Sequence, residues 1–273
     1  MYDNILIDGK NIAYRAAAAS RAGGYETHAV TIMIRMLDRF RRTFKPSKWH
    51  IFWDVPKYNL WRKDIYPKYK DGRPTPDQEY AKCLKDSQRV AIQVFRNMAM
   101  NQYIRQKNEA DDLIYAFVKA FSDKNNIIVS SDGDILQIPY HLGVDLHNPD
   151  PNKRDNKIVP IPKYDPVIIK ALAGDKSDNI DNYRLVKDKT AQKIVDKGID
   201  EFLNEKGRDL FDLNLELVDL SRNPHLNDNV EYVKSVSNNT KFDMKEIQNL
   251  IRIHSISGLY SELMSKVRSF KNI

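Results

Sequence analysis

Two periods of apolar residues divide the chain into elements. "NILID" (4–8) is a short apolar run closed by Asp8, the pattern of a buried strand with a carboxylate at its C-terminal end. "HAVTIMIRMLDRFRRTF" (28–44) sets Val30, Ile34, Leu37 and Phe40 near helical spacing. "WHIFWD" (49–54) reads as a second strand ending in Asp54. From Val55 to Pro76 neither period holds; prolines, aromatics and cations predict a loop. The helical period returns over about 77–100, and a short strand is expected near "QYIRQ" (102–106). "EADDLIYAFVKAF" (109–121) is an amphipathic helix opening with three acids, and "NIIVSSD" (126–132) is a strand closing on Asp132. Strand and helix thus alternate, which predicts a three-layer α/β domain with a mostly parallel sheet. Ligands of such sheets gather at the carboxyl ends of the strands, where Asp8, Asp54 and Asp132 fall.

Beyond a polar loop at "NPDPNKRDNK" (148–157), the pattern turns mainly helical from about Lys163. Helices are expected near 164–173, 189–197, 199–206, 209–221, 243–254 and 257–268, with no internal repeat. The spacing of Ile247, Leu250, Ile251 and Ile253 marks the last part as packing surface first.

Composition narrows the class. With 41% hydrophobic and 30% charged residues the chain reads as a soluble globular protein, and no apolar run is long enough for a membrane span. "MYDNILIDGK" does not read as a signal peptide, and one cysteine, Cys83, permits no internal disulfide framework. The expectation is a reducing, cytoplasmic setting. The net charge of +7 favours polyanionic partners. Basic residues cluster at 35–48, 58–73 and 184–197. The second cluster interleaves Trp, Tyr, Lys and Arg, a mixture suited to phosphate contacts beside base stacking.

Against that basic background stand nine acids in a suggestive order. Asp8, Asp54, Asp132 and Asp134 fall at strand ends, Glu109, Asp111 and Asp112 open a helix, and Asp175 and Asp178 sit in "GDKSDNI" (174–180). Singly, each has a plainer role: acids in a first turn complement the helix dipole, and an isolated DxxD makes a turn or a cap. Together they would concentrate negative charge that only bound cations can offset. A ligand set of oxygens, without His or Cys, suits Mg²⁺ or Mn²⁺, and two such ions about 3.5–4 Å apart would form a phosphoryl-transfer site.

The stretches "LIDGKN" (6–11), "FWD" (52–54), "YPKYKDGR" (66–73), "EADD" (109–112), "SSDGD" (130–134) and "GDKSDNI" (174–180) carry a resemblance. In this order and spacing the chain resembles the 5′-nuclease family of flap endonucleases, bacteriophage 5′-exonucleases and the 5′-nuclease domains of bacterial DNA polymerases, most of all a bacteriophage member. The resemblance implies a PIN-like nuclease core over 1–163 and a helical DNA-binding region over 164–273. It implies a helical arch at about 57–93 and a helix-hairpin at about 175–197. It assigns Asp8, Asp54, Glu109, Asp111 and Asp132 to a first Mg²⁺ ion and Asp112, Asp134, Asp175 and Asp178 to a second, with Mn²⁺ as a substitute. Lys70 and Arg73 would act on the scissile phosphate, Tyr69 would stack on a base, and Lys68, Lys187, Lys189 and Lys193 would grip DNA.

The implied activity is metal-dependent hydrolysis of phosphodiesters at or near the 5′ end of DNA, in replication or repair. Implied partners are flaps, nicks, forks or RNA–DNA hybrids, bound by a monomer without membrane or small-molecule cofactor, in a bacterial or phage-infected cytoplasm. One departure stands out. The glycines of the family's hairpin appear here as Asn182, Leu185 and Lys187, which predicts an altered duplex grip without a bound monovalent cation. Two alternatives stay open: a catalytically silent branched-DNA binder, and an RNA-cleaving nuclease with the same core. A phosphatase using Asp8 as nucleophile usually wants a second aspartate two residues on, where Lys10 stands.

Overall fold

β1 (Asn4–Asp8) passes directly into α1 (Gly9–Ala22), and α2 (Ala29–Phe44) leads to β2 (Lys48–Phe52). The proline-rich stretch holds one helical turn, α3 (Arg62–Ile65), before the long α4 (Gln78–Asn97), which is capped by Asp77 accepting from the Tyr80 amide. Then follow β3 (Asn101–Tyr103), α5 (Ala110–Ala120), β4 (Asn126–Val129), α6 (Gln137–Leu142) and β5 (Asp145–His147). The remainder is helical: α7 (Pro166–Ala173), α8 (Asp188–Lys197), α9 (Ile199–Lys206), α10 (Asp209–Val218), α11 (Leu226–Ser235), α12 (Met244–Ile253) and α13 (Tyr260–Arg268). The computed structural model describes residues 1–25, 28–74, 76–150, 158–236, 241–256 and 260–271.

All five strands are parallel, in the order β3-β2-β1-β4-β5. Parallel neighbours need crossover connections, and helices supply them on both faces. The order reverses between β1 and β4, and a crevice opens at the carboxyl ends of strands at such a switch point.

Alternation along each strand feeds two cores. Ile5 and Ile7 pack with Ile12, Ile34, Val94, Ile247 and Val267, joining α1, α2, α4, α12 and α13 on one face. Leu6, Phe52 and Ile128 pack with Phe117, Ile138 and Val233 on the other, under α5, α6 and α11. A third core is built by α7 to α10 around Ala171, Leu172, Ala191, Leu203 and Phe211, and takes in Val55, Leu60 and Tyr69 from the loop after β2. The α/β architecture read from the sequence is the observed one.

The differences are local. The strands expected at 49–54 and 126–132 stop at Phe52 and Val129, so only Asp8 is the last residue of its strand. The helix expected over 209–221 ends at Val218 and is followed by a 3₁₀ turn at Leu220–Arg222. Helices α1, α3, α6 and α11 and strand β5 fall where the sequence pattern predicts no such element. Residues 151–157 of the expected polar loop lie outside the described residues. Among the described residues, no helix is long and apolar enough to cross a membrane.

Candidate active site

The first cluster of acids is assembled by the strand ends and by the N-terminus of α5. A Cβ on Gly9 would lie 2.6 Å from the Trp53 ring, so glycine is what lets β1 turn into α1 beneath that indole. Asp8 caps α1: one oxygen accepts from the Asn11 amide at 2.9 Å and the other from Ser130 Oγ at 2.9 Å. Asp54 accepts from the Ala110 amide at 2.7 Å and pairs with Lys10 Nζ at 2.7 Å, tying the loop after β2 to the first amide of α5. Asp132 is held in a turn, its Oδ1 accepting from the Asp134 amide at 3.0 Å. Asp8, Asp54, Glu109, Asp111 and Asp132 line one cavity of about 140 Å³, together with Lys10, Asn11 and Tyr14.

A second group lies beside it. Gly174 has φ +70°, and a Cβ there would meet the Asn182 amide nitrogen at 2.6 Å; the tight turn that follows needs a residue without a side chain. In that turn the Asp175 amide donates to Ile180 O at 2.9 Å and the Ile180 amide returns to Asp175 O at 2.8 Å. Carboxylate oxygens of Asp134, Asp175 and Asp178 come within 4.8 Å of one another.

The stretch "YPKYKDGR" is pinned against this turn. The Lys70 amide donates to Asp178 O at 2.8 Å, Asn179 Nδ2 to Lys68 O at 2.9 Å, and Arg73 Nε to Ser177 O at 2.9 Å. Lys70 itself takes a left-handed φ of 59°, a conformation that costs a non-glycine residue about 1–2 kcal/mol. Its ammonium pairs with Glu109 and lies 3.7 Å from Asp178, while Arg73 pairs with Asp178. Lys70 and Arg73 therefore stand between the two carboxylate groups.

The electrostatics of the two groups differ. Burial, then the carboxylates of Asp54 and Asp132, push the Asp8 carboxyl up to about 7. Burial and the neighbouring Asp112 and Glu109 carboxylates raise that of Asp111 well above the usual range. Burial also opposes ionisation of Asp175 and Asp178, but the nearby cations outweigh it and hold both carboxyls low: Lys170 at Asp175, Lys70 and Arg73 at Asp178.

Two sequence expectations are corrected. Asp112, expected at the second ion, is buried at 1% exposure, and its oxygens are taken by Arg62. Arg62 Nη1 lies 3.0 Å from Oδ2 and Nη2 lies 3.1 Å from Oδ1, while the Glu109 amide donates to Oδ2 at 2.9 Å. Arg62 also reaches Glu109 Oε2 at 3.0 Å and Leu217 O at 2.8 Å, so Asp112 serves a buried ion-pair network and does not face the cavity. Tyr69, expected to stack on a base, is buried at 3% exposure. Its hydroxyl lies 3.0 Å from Glu109 Oε2 and 2.8 Å from Asp178 Oδ2, sharing its single proton between the two clusters.

Lys68, Lys187, Lys189 and Lys193 are all exposed. The hairpin residues Arg184 and Leu185 both hold left-handed φ values, 49° and 64°, without glycine, with the Leu185 amide bonded to Asn182 Oδ1 at 3.0 Å. Sequence reasoning missed Tyr14, Arg62 and Lys170 as parts of the site. Tyr14, six residues after Asp8, was visible from spacing along one helix; the other two act across long separations that a single sequence does not display.

The donor set fits hard divalent cations: carboxylate oxygens from both groups, with no His or Cys lining the smaller cavity. Burial, then the repulsion of Asp54 and Asp132, disfavours the charged form of Asp8, and a cation bound there would offset both.

Comparison with known proteins decides the family. Residues 3–159, more than half the chain, match the family model described as the 5′-3′ exonuclease N-terminal resolvase-like domain. The chain belongs to that family. It is 30% identical over 213 residues to DNA polymerase I of Streptococcus pneumoniae, covering 70% of this chain and 23% of that protein. It is also 29% identical over 230 residues to a 5′-3′ exonuclease of Halalkalibacterium halodurans, covering 76% of this chain and 74% of the relative. The chain thus spans about a quarter of the polymerases it matches. A bacteriophage T5 flap endonuclease solved with DNA and metal ions shares the fold of this 5′-3′ exonuclease family member. Its TM-score is 0.63 at 16% identity, over 92% of this chain and 99% of that one. T5 5′-exonuclease with zinc bound superposes with TM-score 0.62 at 17% identity, over 93% and 99% of the two chains.

Proposed function

We propose that this chain is a divalent-metal-dependent 5′-nuclease that hydrolyses phosphodiester bonds at or near the 5′ end of DNA, as exonuclease, flap endonuclease or both, in replication or repair. The observation that carries this reading is the convergence of eight carboxylates in two adjoining groups at the carboxyl edge of the sheet, with Lys70 and Arg73 between them. Family membership supports the choice of a 5′-nuclease over other phosphoryl-transfer enzymes.

Asp8, Asp54, Glu109, Asp111 and Asp132 would hold one ion, and Asp134, Asp175 and Asp178 a second. Two Mg²⁺ ions, or Mn²⁺ in their stead, would supply charge neutralisation for the scissile phosphate and activation of water. Asp8 and Asp54 each have fixed donors, so their orientation is set before substrate arrives. Lys70 and Arg73 neutralise Glu109 and Asp178 in the free protein, and a phosphate entering between them competes for both cations.

A larger cavity of about 770 Å³ shares Lys10, Tyr14 and Asp54 with the smaller one and is lined further by Lys57, Lys85 and Arg89. An unpaired 5′ strand would enter here, under the arch formed by about residues 57–93. Tyr14, 40% exposed, offers a ring face to a base. Lys68, Lys187, Lys189 and Lys193 would hold duplex phosphates and make binding salt-dependent. In this reading the nuclease core is 1–163, the DNA-binding helical region is 164–273, and the protein acts as a monomer on flaps, nicks, forks or RNA–DNA hybrids.

The test is cleavage of a 5′-labelled flap duplex in Mg²⁺ and in EDTA, with product ends mapped. Mg²⁺-dependent cuts at the junction, or short products from the 5′ end, are expected. Tight flap binding without cutting in Mg²⁺ or Mn²⁺ would replace the nuclease by a branched-DNA binder. Cutting confined to RNA would change the substrate class.

A further inference from the structure

The two carboxylate groups are neutralised in different ways. In the first, Lys10 pairs with Asp54 and both Lys70 and Arg62 pair with Glu109, and among the described residues no ion pair reaches Asp8, Asp111 or Asp132. In the second, every acid is paired. Arg73 and Lys70 face Asp178, and a single lysine, Lys170, bridges the other two: its Nζ pairs with Asp134 and lies 2.6 Å from Asp175 Oδ2. Lys170 projects from the last turn of α7, four residues before Gly174, whose glycine-only turn swings Asp175 back toward it. Its side chain is 23% exposed, so it sits at the rim of the group and not in the packed core.

We propose that Lys170 is a built-in counter-ion that holds the position of a second divalent ion between Asp134 and Asp175, so that this ion binds only in competition with the lysine ammonium. The inference rests on the divalent-metal reading above and goes beyond it by making the two sites unequal. An ion about 2.1 Å from an oxygen of each carboxylate would fall on the lysine nitrogen. The ammonium and the ion exclude one another by space as well as by charge. The free protein then carries one tight and one weak divalent site, and the weak site fills when a substrate phosphate draws Lys170 away. Loading of the second ion becomes conditional on substrate.

The test is equilibrium binding of Mn²⁺ alone, followed by electron paramagnetic resonance of the free ion, to the wild-type protein, Lys170→Met and Lys170→Arg. The wild type should show a tight and a weak class. Lys170→Met should tighten the weak class at least tenfold and leave the tight class unchanged, whereas Lys170→Arg, which keeps the charge, should leave the weak class weak. A merely structural lysine would show the opposite sign, because its loss would loosen the site. An unchanged or weakened second class in Lys170→Met, with melting temperature preserved, overturns the proposal. So does a single class in all three proteins. Absence of Mn²⁺ binding in every protein overturns the metal reading itself, and this inference with it; cleavage of the flap substrate in EDTA would then locate the failure in the metal and not in Lys170. Lys170→Gln, which retains most of the stem, replaces the Met variant if that one does not fold.

Discussion

The two carboxylate groups lie side by side but are made from different kinds of structure. The first hangs on the sheet: Asp8 ends the central strand, Asp54 and Asp132 follow neighbouring strands by two and three residues, and Glu109 caps α5. Backbone amides and a serine hydroxyl fix its oxygens; Asp54 and Glu109 have cation partners, while Asp8 and Asp111 have no ion pair among the described residues, and burial, then neighbouring carboxylates, raise both of them. The second hangs on a turn between helices and is held by Lys170, Lys70 and Arg73, which keep Asp175 and Asp178 low. In the proposed reading, the first group is a cup with fixed oxygens that a cation would fill, and the second is a set of ion pairs that a cation or a phosphate would have to rearrange. Pre-organisation is therefore concentrated at the sheet and adjustability at the helical side.

The largest expected effect comes from removing a carboxylate that no direct ion pair reaches among the described residues. Asp132→Asn should lower single-turnover cleavage on the order of a thousandfold while flap binding persists, since it removes a proposed ion ligand and leaves the basic surface intact. Full cleavage at saturating Mg²⁺ would end the assignment of this group to a metal. Next is Asp112→Asn, which breaks a buried ion pair and leaves Arg62 partly uncompensated. A loss of about 3–5 kcal/mol in chemical denaturation is expected. Its activity, measured well below the melting temperature, should stay far above that of Asp111→Asn, its neighbour in sequence. Equal inactivation of the two would restore Asp112 to the ligand set. Lys70→Ala should slow the chemical step at least tenfold with little change in flap affinity. An unchanged rate would put Lys70 outside the reaction and leave the second group as ion pairs alone.

Strand ends were legible because a buried run that stops on an aspartate announces both the strand and the carboxylate, as "NILID" does. The stretch bearing Asp175 and Asp178 was legible as a turn, because a glycine followed by spaced aspartates favours one, and the bonds between Asp175 and Ile180 close it. Helix α1 escaped because "GKNIAYRAAAASRA" is rich in alanine, whose weak hydrophobicity hides which face is buried. Strand β5 is three residues long, too short for a period, and "LNDNVEYVKS" in α11 carries few apolar residues although it packs closely on α5. Arg62 and Asp112 are 50 residues apart, and their pairing is a product of tertiary packing that no local spacing encodes. Tyr69 misled for a related reason. An aromatic among lysines and prolines reads as an exposed stacking surface, whereas the third core and two carboxylates bury it.

Tyr69 also supplies the smallest and most discriminating prediction, because its hydroxyl touches both groups at once. A phenol has one proton, and here burial, then Glu109, keep that proton on well above its usual range. The hydroxyl thus remains a donor that ties Glu109 to Asp178. Removing it with Tyr69→Phe keeps the ring, its packing against Arg62 and the third core, and costs one hydrogen bond to charged partners, about 1.5–3 kcal/mol at most. Cleavage should fall several-fold, and the Mg²⁺ concentration for half-maximal rate should rise, because the two groups lose their shared tether. Tyr69→Leu should lose more stability but change the Mg²⁺ requirement by a similar factor. If the ring stacked on a base, the pattern would invert: Phe would cleave like the wild type at every Mg²⁺ concentration, and only Leu would weaken substrate binding. The ratio of the two variants' Mg²⁺ requirements, measured on one flap substrate, therefore tests whether the rigid cup and the adjustable turn are coupled through this hydroxyl or work as separate ion sites.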